Sequence, residues 1–71
     1  MAFRARIYLQ QPGETEAAYL GEIDLEVRPI LNGRARFMHD GGLVVGHIDT
    51  LTPPDWAETG VVPTIYVARR T

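Results

Sequence analysis

The residues best suited to metal binding lie in two short clusters, His39-Asp40 and His47-Asp49. Imidazole nitrogens and carboxylate oxygens hold a metal ion only when several of them converge on it. The segment Asp40–Gly42 predicts a tight turn, which would place the two histidines at different ends of a hairpin. His47 and Asp49 share one side of a strand and could supply two ligands together. We therefore predict no metal site, and interpret the histidines as turn and surface residues.

Residues suited to covalent or acid–base catalysis are scarce. The sequence has no Ser and no Cys, and the threonines have no neighbouring base in a triad-like pattern. Glu22, Asp24 and Glu26 project from one strand face, as a carboxylate row of an acid–base site would. Arg4 and Arg6 are the predicted neighbours of this row, which favours a charge-matched sheet surface instead. The glycines lack the spacing and the Lys of a phosphate-binding loop. The sequence thus favours a non-catalytic protein without a cofactor.

Arg28, Arg34 and Arg36 are expected to cluster on the outer face of one hairpin. With a nearby aromatic such as Tyr66, they could bind nucleic acid, because bases stack on aromatic rings beside Arg-bound phosphates. The formal net charge of −2 argues against this, since nucleic-acid binding needs a basic surplus. The alternative is that these charges protect a strand edge from further pairing.

The segment Thr52–Gly60 carries helix signals in a chain that otherwise alternates like strands. Thr52 is predicted to cap the helix through its hydroxyl group, and Pro53 to occupy the first helical position, where a missing N–H does no harm. Gly60 is predicted to end the helix in a left-handed conformation. The sequence therefore predicts a short helix before the last strand.

This segment also holds Trp56, the only Trp of the chain. One interpretation makes Trp56 an apolar plug that covers an open end of the sheet, against Leu51, Val62 and Ile65. The other places Trp56 and Pro54 in an exposed groove, because Trp is frequent at binding hot spots. The sequence leaves both interpretations open.

The composition predicts a single small domain over residues 1–71, with 45% hydrophobic residues and no Cys for disulfides. Small domains without covalent staples often gain burial by oligomerising, so a homodimer is possible. All 7 basic residues are Arg, which with frequent Ala, Gly and Pro is typical of a GC-rich bacterial genome. No apolar run approaches the ~20 residues of a membrane span, and we expect a cytoplasmic protein with no membrane partner.

Alternating polarity predicts five strands. They cover approximately Phe3–Leu9, Tyr19–Arg28, Arg34–Met38, Leu43–Leu51 and Val61–Arg69. Pairing of the first two in a register whose residue numbers sum to 28 would match apolar with apolar on one face and opposite charges on the other.

The second and third strands are expected to form a hairpin around Asn32-Gly33. With Gly33 left-handed, Val27 would lie opposite Phe37 in the core, and Arg28 would lie opposite Arg36. The fourth strand is harder to phase, because Val44 and Val45 cannot both face the inside of a one-sided sheet. One of them is expected to face a partner subunit or the short helix.

Five short strands with a helical turn before the last resemble an SH3-like small barrel, and the resemblance covers most of the chain. The alternative architecture is a strongly curved antiparallel sheet that closes only by dimerisation. In either case the leading hypothesis is a non-catalytic module that binds another protein or itself. A nucleic-acid-binding small barrel that uses the arginines is the alternative function.

Overall fold

The computed structural model describes residues 3–69. Five strands and one short helix follow one another in the predicted order. Their bounds are β1 Phe3–Gln10, β2 Ala18–Leu25, β3 Arg34–His39, β4 Gly42–Thr52, α1 Trp56–Thr59 and β5 Thr64–Arg69. Among these residues, no helix is long and apolar enough to cross a bilayer.

The strands form one mixed sheet in the spatial order β2-β1-β5-β4-β3. β1 and β5 run parallel, whereas the other neighbours are antiparallel. The expectation of an entirely antiparallel sheet is therefore wrong at one pair. β5 lies between β1 and β4. It runs antiparallel to β4 and in the same direction as β1. The sheet curves into a half-barrel, in which the edge strands β2 and β3 contact each other.

The predicted register of β1 and β2 is confirmed. Phe3 pairs with Leu25, and the pairs continue with numbers that sum to 28 as far as Ile7 and Gly21. A β-bulge then shifts the register by one residue, and Gly21 has a left-handed φ of 99° there. Glycine adopts this backbone conformation without the steric cost of a side chain.

The hydrophobic core lies on the inner face of the half-barrel. Its buried members come from all five strands: Ala5, Ile7, Leu9, Leu25, Ala35, Phe37, Val44, Ile48, Ile65 and Val67. Val44 is buried and Val45 is 38% exposed, which settles the phase of β4. A bulge around Asp49 then shifts the alternation, so that Leu51 packs against the core again. Alternate residues of β1 and of β5 thus face the core.

The predicted hairpin between β2 and β3 is wrong. β2 ends at Leu25, and the side chain of Val27 is 57% exposed instead of facing Phe37. Pro29, which has no N–H to donate to a ladder, lies in the segment that follows β2, and its ring is fully buried. Asn32 takes the left-handed conformation expected of Gly33, with φ 65°. The chain from 26 to 33 is therefore a loop, and Arg28 is not paired with Arg36 in a strand ladder.

The helix begins later than predicted. Thr52 pairs with Thr64 as the last residue of β4, so its backbone belongs to the sheet and it is not the cap. Asp55 occupies the N-cap position without a side-chain cap hydrogen bond, and Pro53 precedes the helix. The predicted end is confirmed, since Gly60 has φ 76° and its N–H donates to the carbonyl of Trp56.

Candidate binding surface

An open groove lies between the 26–33 loop and the outer face of β3 and β4. It encloses about 530 Å³, and four aliphatic side chains contribute to its walls: Val27, Ile30, Leu43 and Val45. These side chains are between 38% and 59% exposed. Because binding sites are commonly concave and combine apolar walls with a few polar groups, such a groove marks a candidate interaction site. We call it the arginine groove, after the charged residues described next.

Arg28, Arg34 and Arg36 also line the arginine groove. Arg34 and Arg36 are two residues apart on β3, so their side chains emerge on the same outer face. Arg28 reaches the groove from the loop. The structure thus brings together the three arginines that were singled out from the sequence, although the hairpin expected to cluster them does not form.

The three guanidinium groups have different surroundings. Arg36 Nε lies 3.6 Å from Glu26 Oε2, in a pair whose side chains are both more than half exposed. Arg28 Cζ lies 5.1 Å from the centroid of the Trp56 ring. Arg34 forms no ion pair with any residue between 3 and 69. Arg34 therefore offers its full donor set to a ligand.

The groove continues past Arg34. A second depression of about 670 Å³ shares Gly33, Arg34 and Val45 with it and extends to His47. His47 is paired with Arg34 across the two strands. The two depressions therefore adjoin each other on the β3–β4 hairpin.

Trp56 is half-buried and does not line the arginine groove. Its ring meets Phe3 edge-on, with centroids 6.5 Å apart and planes at 85°. Its other recorded ring contact is with Arg28, and neighbouring Pro54 is exposed. Trp56 thus lies against Phe3 and Arg28, and both sequence interpretations of this residue stay predictions.

Tyr66 lies in a separate place from the arginine groove. Its ring stacks on Tyr8 with centroids 4.6 Å apart and planes at 7°, and Tyr8 contacts Tyr19 at 4.9 Å. This tyrosine row, Tyr19-Tyr8-Tyr66, crosses the outer face of β2, β1 and β5. β4 lies between β5 and β3. Tyr66 on β5 is therefore two strand spacings, about 10 Å, from β3, the strand of Arg34 and Arg36. The predicted partnership of Tyr66 with the arginines is therefore not assembled.

The basic residues on the same face as the tyrosine row are neutralised within the sheet. Arg4 Nε lies 3.2 Å from Asp24 Oδ1, and Arg6 Nε lies 3.6 Å from Glu22 Oε2. These are the cross-strand charge pairs predicted from the register. They place carboxylates beside both arginines that flank the row, whereas Arg34 has none among the described residues.

The histidines lie beside their own sequence neighbours. His39 Nε2 is 3.4 Å from Asp40 Oδ2, and His47 Nε2 is 3.6 Å from Asp49 Oδ1. His39 pairs with Gly42 and His47 with Arg34, so the two clusters occupy opposite ends of the β3–β4 hairpin. In the part of the chain that the structure describes, no three potential ligands converge on one point.

The sequence analysis missed the wall that the 26–33 loop supplies, although it expected an outward-facing valine on β4. Val27 was assigned to the core, and Ile30 falls in the loop that replaced the expected hairpin. The available signal was Pro29, which marks a break in β2 and leaves apolar residues on both sides of it outside the sheet.

Comparisons with known proteins add no site by analogy. No family model matches the chain, and no curated protein or solved structure matches it either. The function must therefore be argued from the geometry of the surface.

Proposed function

We propose that this protein is a non-catalytic interaction module that binds a polypeptide in the arginine groove. The observation that supports the proposal is the grouping of exposed aliphatic side chains around three arginines. Interfaces are enriched in Arg, and their centres are more apolar than the rest of the surface. The two adjoining depressions are open to solvent and combine apolar with charged side chains, as surfaces that bind a polypeptide do.

The proposal includes the SH3-like layout predicted from the order of elements. In this arrangement the half-barrel is a rigid support, and the 26–33 loop supplies one wall of the binding surface. Loops held by a rigid scaffold are common places for recognition. Self-association is a second form of the same proposal, in which the occupant is part of another copy. Light scattering during size-exclusion chromatography distinguishes the two forms, because only self-association gives a mass that rises with concentration.

An unbiased peptide-display selection on the immobilised protein tests the proposed function. We expect peptides to be enriched, and their binding to be weakened about tenfold or more by Val45→Asp, which introduces a charge into the apolar wall. Val61→Asp is the matched control, since Val61 is a similarly exposed valine in the connection between α1 and β5. Failure to enrich any peptide, or equal binding to both variants, would remove the proposal.

Nucleic-acid binding is the alternative, favoured by the convergence of Arg28, Arg34 and Arg36 on one groove. It requires a gel shift with single-stranded oligonucleotides at low salt, weakened by Arg36→Ala and by added salt. The separation of the tyrosine row from the groove counts against a combined stacking and phosphate-binding platform. A shift that resists salt, or the lack of one, eliminates this alternative.

The proposed location is the cytoplasm of a bacterium. The Arg-rich, Lys-free composition and the lack of Cys support it. Immunodetection after cell fractionation tests the location, and recovery in the membrane or secreted fraction would contradict it.

A further inference from the structure

The spacing of charges along β3 restricts what the arginine groove can hold. Arg34 and Arg36 are separated by one residue, and a strand rises about 3.3 Å per residue. Their Cα atoms are therefore about 6.6 Å apart. An extended ligand repeats with the same period, so that side chains at alternate positions can meet both arginines.

The chain itself shows which chemistry these arginines accept. Glu26 places a carboxylate oxygen 3.6 Å from Nε of Arg36. Both side chains are largely exposed, so this pair is weak and exchangeable. Arg34 has no such partner among the described residues, although its guanidinium presents the same planar set of donors. The groove is therefore suited to carboxylates. The described residues provide one for Arg36 and none for Arg34.

A second copy of the same surface is a poor occupant. In a two-fold symmetric interface each patch meets its own equivalent. Arg34 and Arg36 would then lie close to the arginines of the other copy. Like charges brought together in an interface cost several kcal/mol. The arginines of the groove consequently disfavour a symmetric dimer through this surface and favour a partner of opposite charge.

We infer that the arginine groove takes an extended acidic segment of another protein, with carboxylates at alternate positions bound by Arg34 and Arg36. Aliphatic side chains of the same segment contact Leu43 and Val45 on one side and Val27 and Ile30 on the other. This inference rests on the proposed function and adds the chemistry and conformation of the ligand. The apolar contacts supply burial, and the charge-assisted hydrogen bonds supply orientation and selectivity.

Fluorescence anisotropy with short acetylated peptides tests this inference. The probe alternates Glu and Val, and three controls are used: the same peptide with Gln for Glu, the same with Lys for Glu, and one of equal composition with the Glu residues in a single block. We expect the alternating Glu peptide to bind roughly three- to tenfold more tightly than the Gln and block peptides, and the Lys peptide to bind weakest. Added salt should weaken only the Glu peptides.

Variants of the protein assign the effect to particular residues. Arg34→Gln should remove most of the preference for the Glu peptide over the Gln peptide. Arg69→Gln removes the same charge outside the groove and should leave this preference unchanged. Arg69 is an exposed residue of β5 that donates to the side chain of Gln11. Circular dichroism checks that both variants remain folded. Loss of the preference in both variants would overturn the assignment to Arg34.

The inference can fail while the proposed function stands. Enrichment of neutral or basic peptides that are sensitive to Val45→Asp would keep the interaction module and overturn the acidic ligand. Equal affinity for the alternating and block peptides would overturn the extended conformation. An oligonucleotide that displaces the Glu peptide and depends on Arg34 would overturn the assignment to an acidic polypeptide. If display enriches nothing, the proposed function itself fails.

Discussion

The guanidinium of Arg28 lies over the ring of Trp56, 5.1 Å from its centroid. This contact joins the two parts of the molecule that the sequence treated separately, the helical turn and the arginine groove. A cation over the face of an indole ring is attracted by the electron density of the ring. Trp56 lies outside the groove, and its contact with Arg28 helps to position that residue at the groove. The same ring meets the ring of Phe3 at an angle of 85°.

Substitution of Trp56 by Ala should lower the free energy of unfolding by about 2 kcal/mol. Removal of a fully buried Trp costs about 3–5 kcal/mol, and half-burial reduces that figure. Urea denaturation followed by circular dichroism measures the change, since the variant lacks the only Trp. Trp56→Phe should recover about half of the loss by keeping the aromatic contact with Phe3. A Trp56→Ala variant as stable as wild type would show that the ring lies in solvent.

Gly46 is required by the close approach of β4 to β5. A Cβ placed there would lie 2.5 Å from Cγ1 of Val67 and 2.8 Å from the carbonyl oxygen of Ala68. Gly46→Ala should therefore destabilise the fold by about 1–3 kcal/mol, because overpacking forces its neighbours to move. Gly42→Ala is the control, as its nearest contact is an ordinary 3.7 Å to the carbonyl oxygen of His39. Equal thermal midpoints for the two variants would contradict the close packing.

The tyrosine row should show a centre and two ends. Tyr8 contacts two rings of the row, those of Tyr19 and Tyr66, whereas each of these two contacts one, that of Tyr8. An aromatic pair contributes about 0.5–1.5 kcal/mol beyond its burial. Tyr8→Ala should therefore cost about twice as much stability as Tyr66→Ala, as measured by chemical denaturation. A double-mutant cycle between Tyr8 and Tyr66 should give a coupling energy in the same range, and additive effects would argue against the stack.

Glu26→Gln should strengthen the binding of acidic peptides. Glu26 occupies Arg36 in the free protein, and its neutral replacement no longer competes for the guanidinium. Since exposed pairs contribute about 0.2–1 kcal/mol, the gain should be a few-fold at most and stability should change by less than about 1 kcal/mol. Glu14→Gln removes the same charge from the loop between β1 and β2 and should leave affinity unchanged. Weaker binding to the Glu26 variant would mean that Glu26 orients Arg36 for the ligand.

Much of the fold could be predicted because β1, β2 and β3 each have one polar face. The charges of β1 and β2 determine a single register, and a slip by one residue would oppose both patterns. The parallel pairing of β1 with β5 was not predictable in this way, because it depends on where the connection through α1 returns the chain. Local patterns describe a strand and its turns, and they carry little information about which distant strand lies beside it.

The arginines and an outward valine on β4 could be predicted from the sequence, whereas the wall formed by the 26–33 loop could not. Arg34 and Arg36 follow from the alternation of β3, which the sequence shows directly. Val27 was placed in the core because it continues the alternation of β2. The observed pairing stops at Leu25, opposite the first residue of β1, and Val27 lies in the loop that holds the buried ring of Pro29. Apolar residues beside a proline break are thus candidates for exposed binding surface as well as for core.

Chemical-shift mapping by NMR tests the central claim most directly. Labelled protein is titrated with the tightest peptide from the display selection, and the shifted backbone amides are located on the structure. We expect the largest changes along β3 and in the 26–33 loop, at Arg28, Arg34 and Arg36, with little change at Tyr19 and Tyr66. Shifts confined to the tyrosine row, or an unchanged spectrum at saturating peptide, would contradict the arginine groove as the binding surface.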